Sequence, residues 1–222
     1  MPAHVLLINP NTSTDSTLMM TNYAQATAGN RLQIHPVTVD YGPKMIIDPI
    51  RLKESAAHVI DKVHSELSKR PYDAVIVSAI GDPGRQELSE QLSLPVVGIG
   101  ESAIIVASRH QRPWAMATST PLLADGLDAL AKKHGGTAPF HGVFLTESEP
   151  LELAADPQRQ YAELAVAVLA ARDKGAQAVM IAGGPLSDTA KLLADNLDVA
   201  IIEPLPAAVE VVLERLDTLP KA

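Results

Sequence analysis

Two segments of this chain frame the residues best suited to chemistry, and they share one pattern around a common Ala-Val: Asp73-Ala-Val-Ile-Val-Ser-Ala-Ile-Gly-Asp-Pro-Gly84 and Gln177-Ala-Val-Met-Ile-Ala-Gly-Gly-Pro-Leu-Ser-Asp188. Each is an apolar run that breaks into a Gly/Pro turn. Such a turn can present consecutive backbone N–H groups, which are the donors that hold a developing oxyanion. The apices are Ala79 and Gly183, and neither is an acid, a base or a nucleophile. Two more loops, Asn9-Pro-Asn-Thr-Ser-Thr14 and Thr118-Ser-Thr-Pro121, also follow apolar runs. Their Asn11, Thr12, Ser13, Thr118 and Ser119 could direct several donors at one carboxylate or imide oxygen, although Ser and Thr here are equally the usual helix N-caps. Ser78 and Ile80 on the first glycine loop, with Gly184 and Pro185 on the second, complete the candidate binding set. Gly-Gly at 183–184 would allow close backbone approach to a ligand, or only a bend. Proton carriers are scarce. Asp82 is one candidate, with helix capping as its alternative use; Glu203, at a strand end before Pro204, is the other.

The elements that must position these loops follow from hydrophobic period. Short β-rich runs at 4–8, 32–38, 73–79, 95–98, 114–118, 141–145, 177–182 and 199–202 alternate with helical patterns at 14–29, 52–69, 84–92, 101–110, 121–134, 157–174, 187–196 and 205–216, the signature of α/β architecture. In the second helix Leu52, Ala56, Ile60 and Val63 are expected on one face. The repeat extends beyond the glycine loops, because Val5–Ser13 and Trp114–Pro121 open the two halves alike. The expected fold is two similar Rossmann-like α/β subdomains related by a pseudo-twofold axis, the first formed by 1–96 plus 203–222 and the second by 97–202. Loops 9–14, 78–84, 118–121 and 182–188 would then ring one cleft beyond the strand ends, where open α/β sheets bind ligands.

Composition removes several function classes. The net charge of −8 and the lack of a Lys/Arg cluster argue against a nucleic-acid partner. No apolar run reaches the roughly 18 residues of a membrane span and no basic leader precedes Val5, so the expected partner is not a membrane and the expected location is cytoplasmic. The chain has no cysteine, which rules out disulfides, thiolate metal sites and thiol nucleophiles together. Its seven histidines show no metal-ligand spacing, and Gly98-Ile-Gly100 lacks the third glycine of a dinucleotide fingerprint. Neither a metal nor a nucleotide cofactor is expected.

Taken in order, Ile8-Asn-Pro-Asn-Thr-Ser13 with Met20-Thr21, Ile80-Gly-Asp-Pro-Gly84, Pro95-Val-Val-Gly-Ile-Gly-Glu101 and the glycine loop at 182–185 resemble the aspartate/glutamate/hydantoin racemase superfamily, most nearly its hydantoin and allantoin racemase branch. The resemblance implies two α/β domains around a small cleft, frequent homo-oligomers and no cofactor. It also implies two cysteines on opposite sides of a substrate stereocentre, one removing a proton and the other returning one. Those positions fall at Ala79 and at Gly183, with Gly184 as the second choice for the latter, so two-base racemisation lacks both its acid and its base. Pro185-Leu-Ser and Glu203-Pro204 depart from the family pattern as well.

The expected function is therefore a cofactor-independent enzyme acting on a small carboxylate or cyclic amide by cysteine-independent elimination, decarboxylation or hydrolysis. Asn11, Ser13, Ser78, Thr118 and Ser119 would orient the substrate, and Asp82 or Glu203 would carry a proton where one is needed. The alternatives are a small-molecule binding protein without catalysis, or a hydantoin/allantoin-type racemase inactivated by substitution.

Overall fold

A computed structural model describes residues 2–219. Each of the eight expected strands is present to within two residues: β1 Ala3–Asn9, β2 Leu32–Thr38, β3 Ala74–Val77, β4 Val96–Gly98, β5 Trp114–Thr118, β6 Phe140–Leu145, β7 Ala178–Ile181 and β8 Ala200–Ile202. They form two four-stranded sheets, ordered β2-β1-β3-β4 and β6-β5-β7-β8, with every pairing parallel. The two sheets thus share one topology. Central strands β1, β3, β5 and β7 read as nearly unbroken apolar runs because both faces are covered, and Val5–Ile8 and Ala74–Val77 are fully buried.

In each sheet the chain leaves the first strand toward one edge and returns on its other side. This places a topological switch point between β1 and β3, and another between β5 and β7. Register aligns Ile8 with Val77 and Ala117 with Ile181. The same hydrogen bond closes both switch points, Ser78 N to Ile8 O at 2.9 Å and Ala182 N to Ala117 O at 2.8 Å.

The helices are α1 Thr14–Ala28, α2 Pro49–Leu67, α3 Arg85–Gln91, α4 Ile99–Ala107, α5 Ala124–His134, α6 Pro150–Ala155, α7 Pro157–Asp173, α8 Ser187–Asn196 and α9 Pro204–Thr218. Ser13, Asp48 and Asp156 cap α1, α2 and α7 through side-chain oxygens. The Asp48-Pro49 start puts Pro at the first helical turn and begins α2 three residues earlier than periodicity indicates. Its buried face centres on Ser55, Val59 and Val63, with Leu52, Ala56 and Ile60 half-buried beside it. That rotation brings Leu52 and Ala56 against Gly81 and Gly84 of the first glycine loop. The short helix α6 is additional to the expected set.

One apolar cluster runs through both halves, joining Leu7 and Ile76 of the first sheet to Met116 and Met180 of the second through Met20 of α1, Ile104 of α4 and Val209 and Val212 of α9. Two satellite clusters lie on the outer faces, under α2 in the first half and under α7 in the second. Because α1, α4 and α9 are shared between the sheets, the switch-point loops of both are held at one place.

Candidate active site

The four loops meet around a cavity of about 50 Å³. Asn11 enters it from the β1–α1 loop, Ser78, Ala79 and Ile80 from the end of β3, Ser119 and Thr120 from the end of β5, and Ala182 to Leu186 from the end of β7. Met45 and Ile46, from the connection between β2 and α2, and Leu123 add apolar wall.

Asn11 is positioned by a buried amide network. The Nδ2 of fully buried Asn9 donates to Asn11 Oδ1 at 3.0 Å, Ser13 O at 3.0 Å and Thr17 Oγ1 at 2.9 Å, and its Oδ1 accepts the Asn11 N–H at 3.1 Å. Asn11 Oδ1 also accepts the Ser13 N–H at 2.9 Å, which fixes which end of that amide is oxygen. Its Nδ2 has no acceptor among the described residues and is left as a donor to the cavity. Ser119 Oγ, similarly buried, is likewise without a partner among them. The backbone N–H groups of Ala79, Ile80, Ser119 and Gly184, all on residues bordering the cavity, have no acceptor in the described structure.

Other hydroxyls are committed elsewhere. Thr118 donates to Ala182 O at 2.8 Å, so Thr120 must donate to Thr118 Oγ1 at 2.9 Å. Thr118 ties β5 to the second glycine loop and does not line the cavity. Ser78 Oγ donates to Ile8 O at 2.8 Å, the matching tie in the first half, and keeps only acceptor capacity toward the cavity. Ser13 caps α1 by accepting from Ser16 N, while Thr12 holds the β1–α1 loop to Pro43 and Gly42. Neither Thr12 nor Ser13 lines the cavity.

Ala79 and Gly183 both do. Gly183 has extended backbone, with φ of 178°, so a side chain there is not opposed by conformation. A Cβ at 183 would come within 2.8 Å of Leu186 Cδ1, which means leucine occupies the space where a longer side chain at 183 would start. Among the described residues, none of the side chains lining the cavity is an acid or a base.

The two expected proton carriers lie elsewhere. Asp82 sits two residues beyond Ile80 in left-handed backbone, φ 52°, and turns its carboxylate to the N-terminus of α4, accepting from Gly100 N at 2.8 Å and Glu101 N at 2.6 Å. It therefore caps α4 rather than the helix that follows it in sequence. Burial pushes its pKa up to about 7, against the lowering effect of those two N–H groups. Glu203 stands half-buried before α9, its pKa raised by burial, with Lys191 opposing and Asp195 adding; it belongs to the α8 side and does not line the cavity. Glu101 is buried and its Oε1 receives Arg85 and, at 2.9 Å, Arg215, so this acid is structural.

Met45, Ile46, Thr120, Leu123, Ala182 and Leu186 were not among the expected site residues. A sequence signal exists for two of them, the apolar Met45-Ile-Ile47 following the Tyr41-Gly-Pro43 turn in a stretch with no assigned element. Among the described residues no three His, Cys, Asp or Glu side chains gather as metal ligands, and no helix is long and apolar enough to cross a membrane.

The model of the family described as Asp/Glu/Hydantoin racemase matches residues 5–212, both halves and all four loops. The chain belongs to the Asp/Glu/hydantoin racemase family. Hydantoin racemase from Paenarthrobacter aurescens is 26% identical over 208 residues, covering 93% of this chain and 88% of the relative. The structure is similar to that of allantoin racemase from Pseudomonas fluorescens, with a TM-score of 0.87 at 23% identity, covering 99% of this chain and 97% of the other. Arylmalonate decarboxylase shares the fold more distantly, with a TM-score of 0.61 at 14% identity over 99% of this chain and 95% of the other. In this Asp/Glu/hydantoin racemase family member, the switch-point loops hold a donor-rich cavity with alanine and glycine at its two glycine-loop apices.

Proposed function

We propose that this protein is a cofactor-independent enzyme that decarboxylates a small acid bearing two carboxylates, or a carboxylate and an amide carbonyl, on one carbon. The observation that supports this reading is the pairing, in one cavity, of unpartnered donors with a complete lack of titratable side chains. Elimination and hydrolysis both need a base to remove a proton from substrate or water. Decarboxylation starts without one. The bond to the departing carboxylate breaks, CO2 leaves, and the bonding pair moves into the remaining carbonyl group as an enediolate or enolate. Asn11 Nδ2, Ser119 Oγ and the N–H groups of Ala79 and Ile80 stabilise the oxygen on which that charge collects. Water then supplies the proton to carbon. The apolar wall of Met45, Ile46, Leu123 and Leu186 disfavours the departing carboxylate and does not oppose neutral CO2. The small volume, well below the roughly 300 Å³ of ordinary ligand pockets, favours a substrate of few heavy atoms.

The test is CO2 release from a panel of small malonates and malonamates by the wild-type protein and by Asn11→Ala and Ser119→Ala. Removing one oxyanion donor is expected to lower turnover about 100- to 1000-fold. Binding of panel members with no CO2 from any of them would refute decarboxylation and leave a binding protein.

A further inference from the structure

A second, larger cavity of about 320 Å³ lies along the next residues of the same glycine loop, and nothing in the proposed reaction uses it. Ala79 and Ile80 face the first cavity, whereas Gly81 to Arg85 border the second. Its other walls are the start of α2, through Leu52, Lys53 and Ala56, and the end of α5, through Leu130, Lys133 and His134. The loop can lie this close to α2 only because residues 81 and 84 are glycine. Both have positive φ, and a Cβ would meet Leu52 at 2.6 Å from Gly81 or Ala56 O at 2.9 Å from Gly84.

In a chain of net charge −8, the side chains here run the other way. Lys53, Arg85, Lys133 and His134 line the space together with the carboxylates of Asp82 and Glu87. Asp82 is occupied by Gly100 N and Glu101 N, and Glu87, like Lys53 and Lys133, lies on the exposed rim, leaving the two lysines facing a single free carboxylate. Lys53 makes no ion pair with any described residue, and Lys133 Nζ has only the neutral Gln86 Oε1, at 3.0 Å. Arg85 bonds Glu101 through one terminal nitrogen, while its buried Nε has no partner among the described residues. Burial lowers His134 below the ordinary histidine range; Glu101 is the largest charge acting on it and opposes that lowering, while Arg85, Lys133 and Arg215 add to it.

We propose that this cavity binds a compact multivalent anion, a phosphate or a di- or tricarboxylate, held between Lys53 of α2 and Lys133 of α5 with Arg85 and His134 at its base. The volume fits such a ligand, lying at the lower end of the range for small-molecule sites. The two lysines approach from opposite halves of the molecule, so an anion between them bridges the halves.

The test is titration of the full-length protein with inorganic phosphate and separately with citrate, at constant ionic strength, followed by calorimetry and by the His134 imidazole and Gly84 amide resonances. Saturable binding of either probe with shifts at those two residues is the expected result; which probe saturates tells phosphate from carboxylate recognition. Lys53→Ala and Lys133→Ala should each weaken binding roughly two- to fivefold, as for solvent-exposed ion pairs, and about tenfold together. Lys132→Ala, an exposed neighbour paired with Asp128 and outside the cavity, should leave binding unchanged. Neither probe saturating, or binding that the Lys53 and Lys133 variants leave intact, would overturn the proposal. Since no turnover is measured, the result stands apart from the proposed decarboxylation.

Discussion

Gly183 and Gly184 are adjacent and both border the candidate active-site cavity, yet the same substitution should act differently on them. Neither glycine occupies the left-handed region, so an alanine meets no conformational penalty at either position and gains a little through the unfolded chain. Their neighbours decide the outcome. At 184 a Cβ would lie 2.7 Å from Met20 Sδ and 3.1 Å from Ser78 O; Met20 is fully buried in the core, and Ser78 O is backbone of the facing glycine loop. Either the core side chain must shift or the two loops must part, an overpacking expected to cost about 1–3 kcal/mol. For a chain of this size that lowers Tm by roughly 2–12 °C. At 183 the close atoms all belong to Leu186, with Cδ1 at 2.8 Å and Cγ at 2.9 Å; that side chain packs in the outer core cluster and also lines the cavity, so it can yield toward the cavity at about 0.5–1.5 kcal/mol of rotamer strain. Gly183→Ala should thus lose less stability than Gly184→Ala but lose ligand binding, because Leu186 fills the space a substrate needs. Calorimetric Tm and urea midpoints measured with malonate titrations separate the two effects. Equal destabilisation by both substitutions, or unimpaired binding by Gly183→Ala, would refute this account of the second glycine loop.

Three further outcomes follow from buried polar groups. Asp82 has its pKa raised from 3.8 to about 7 by burial, so between those values the folded state holds a proton that the unfolded state has released and stability falls as pH rises. Asp82→Asn removes that dependence, worth roughly 4 kcal/mol across the window, and urea midpoints at several pH values that keep the wild-type slope would contradict it. Glu101→Ala leaves Arg85 and Arg215 without their shared carboxylate and should destabilise by about 3–5 kcal/mol, read by denaturant unfolding, whereas a change below about 1 kcal/mol would mean the cluster is solvated. Thr118→Val removes the donor to Ala182 O and should cost about 1–3 kcal/mol of stability with ligand affinity nearly unchanged; lost affinity at full stability would instead make Thr118 a substrate contact.

Much of the frame was legible in the sequence because it rests on local signals. The eight strands are bounded by Gly, Pro and Asn turns, and two loops with the same order of elements in each half lead to two sheets of one topology. The four loops that meet at the cavity were likewise readable, since strand ends at switch points converge whatever their exact residues. What sequence did not reveal is where particular side chains turn. Asp82 caps α4, a helix begun by Ile99 across the loop, because buried N–H groups recruited the nearest carboxylate in space. Thr118 and Ser78 hold their sheets to the neighbouring strand, which depends on register. Met45 and Ile46 reach the cavity from a connection that has no period of its own.

On the function proposed above, the cavity stabilises negative charge on a substrate, and none of the described side chains lining it carries a proton to or from carbon. Proton NMR in deuterated water, with wild-type protein and a panel of hydantoins, allantoin and small malonates, tests it most directly. The predicted result is no Cα–H exchange in the hydantoins or allantoin, and CO2 loss from a malonate with one solvent deuterium placed at Cα of the product. Enzyme-dependent exchange at Cα of a hydantoin, without CO2 loss, would contradict it.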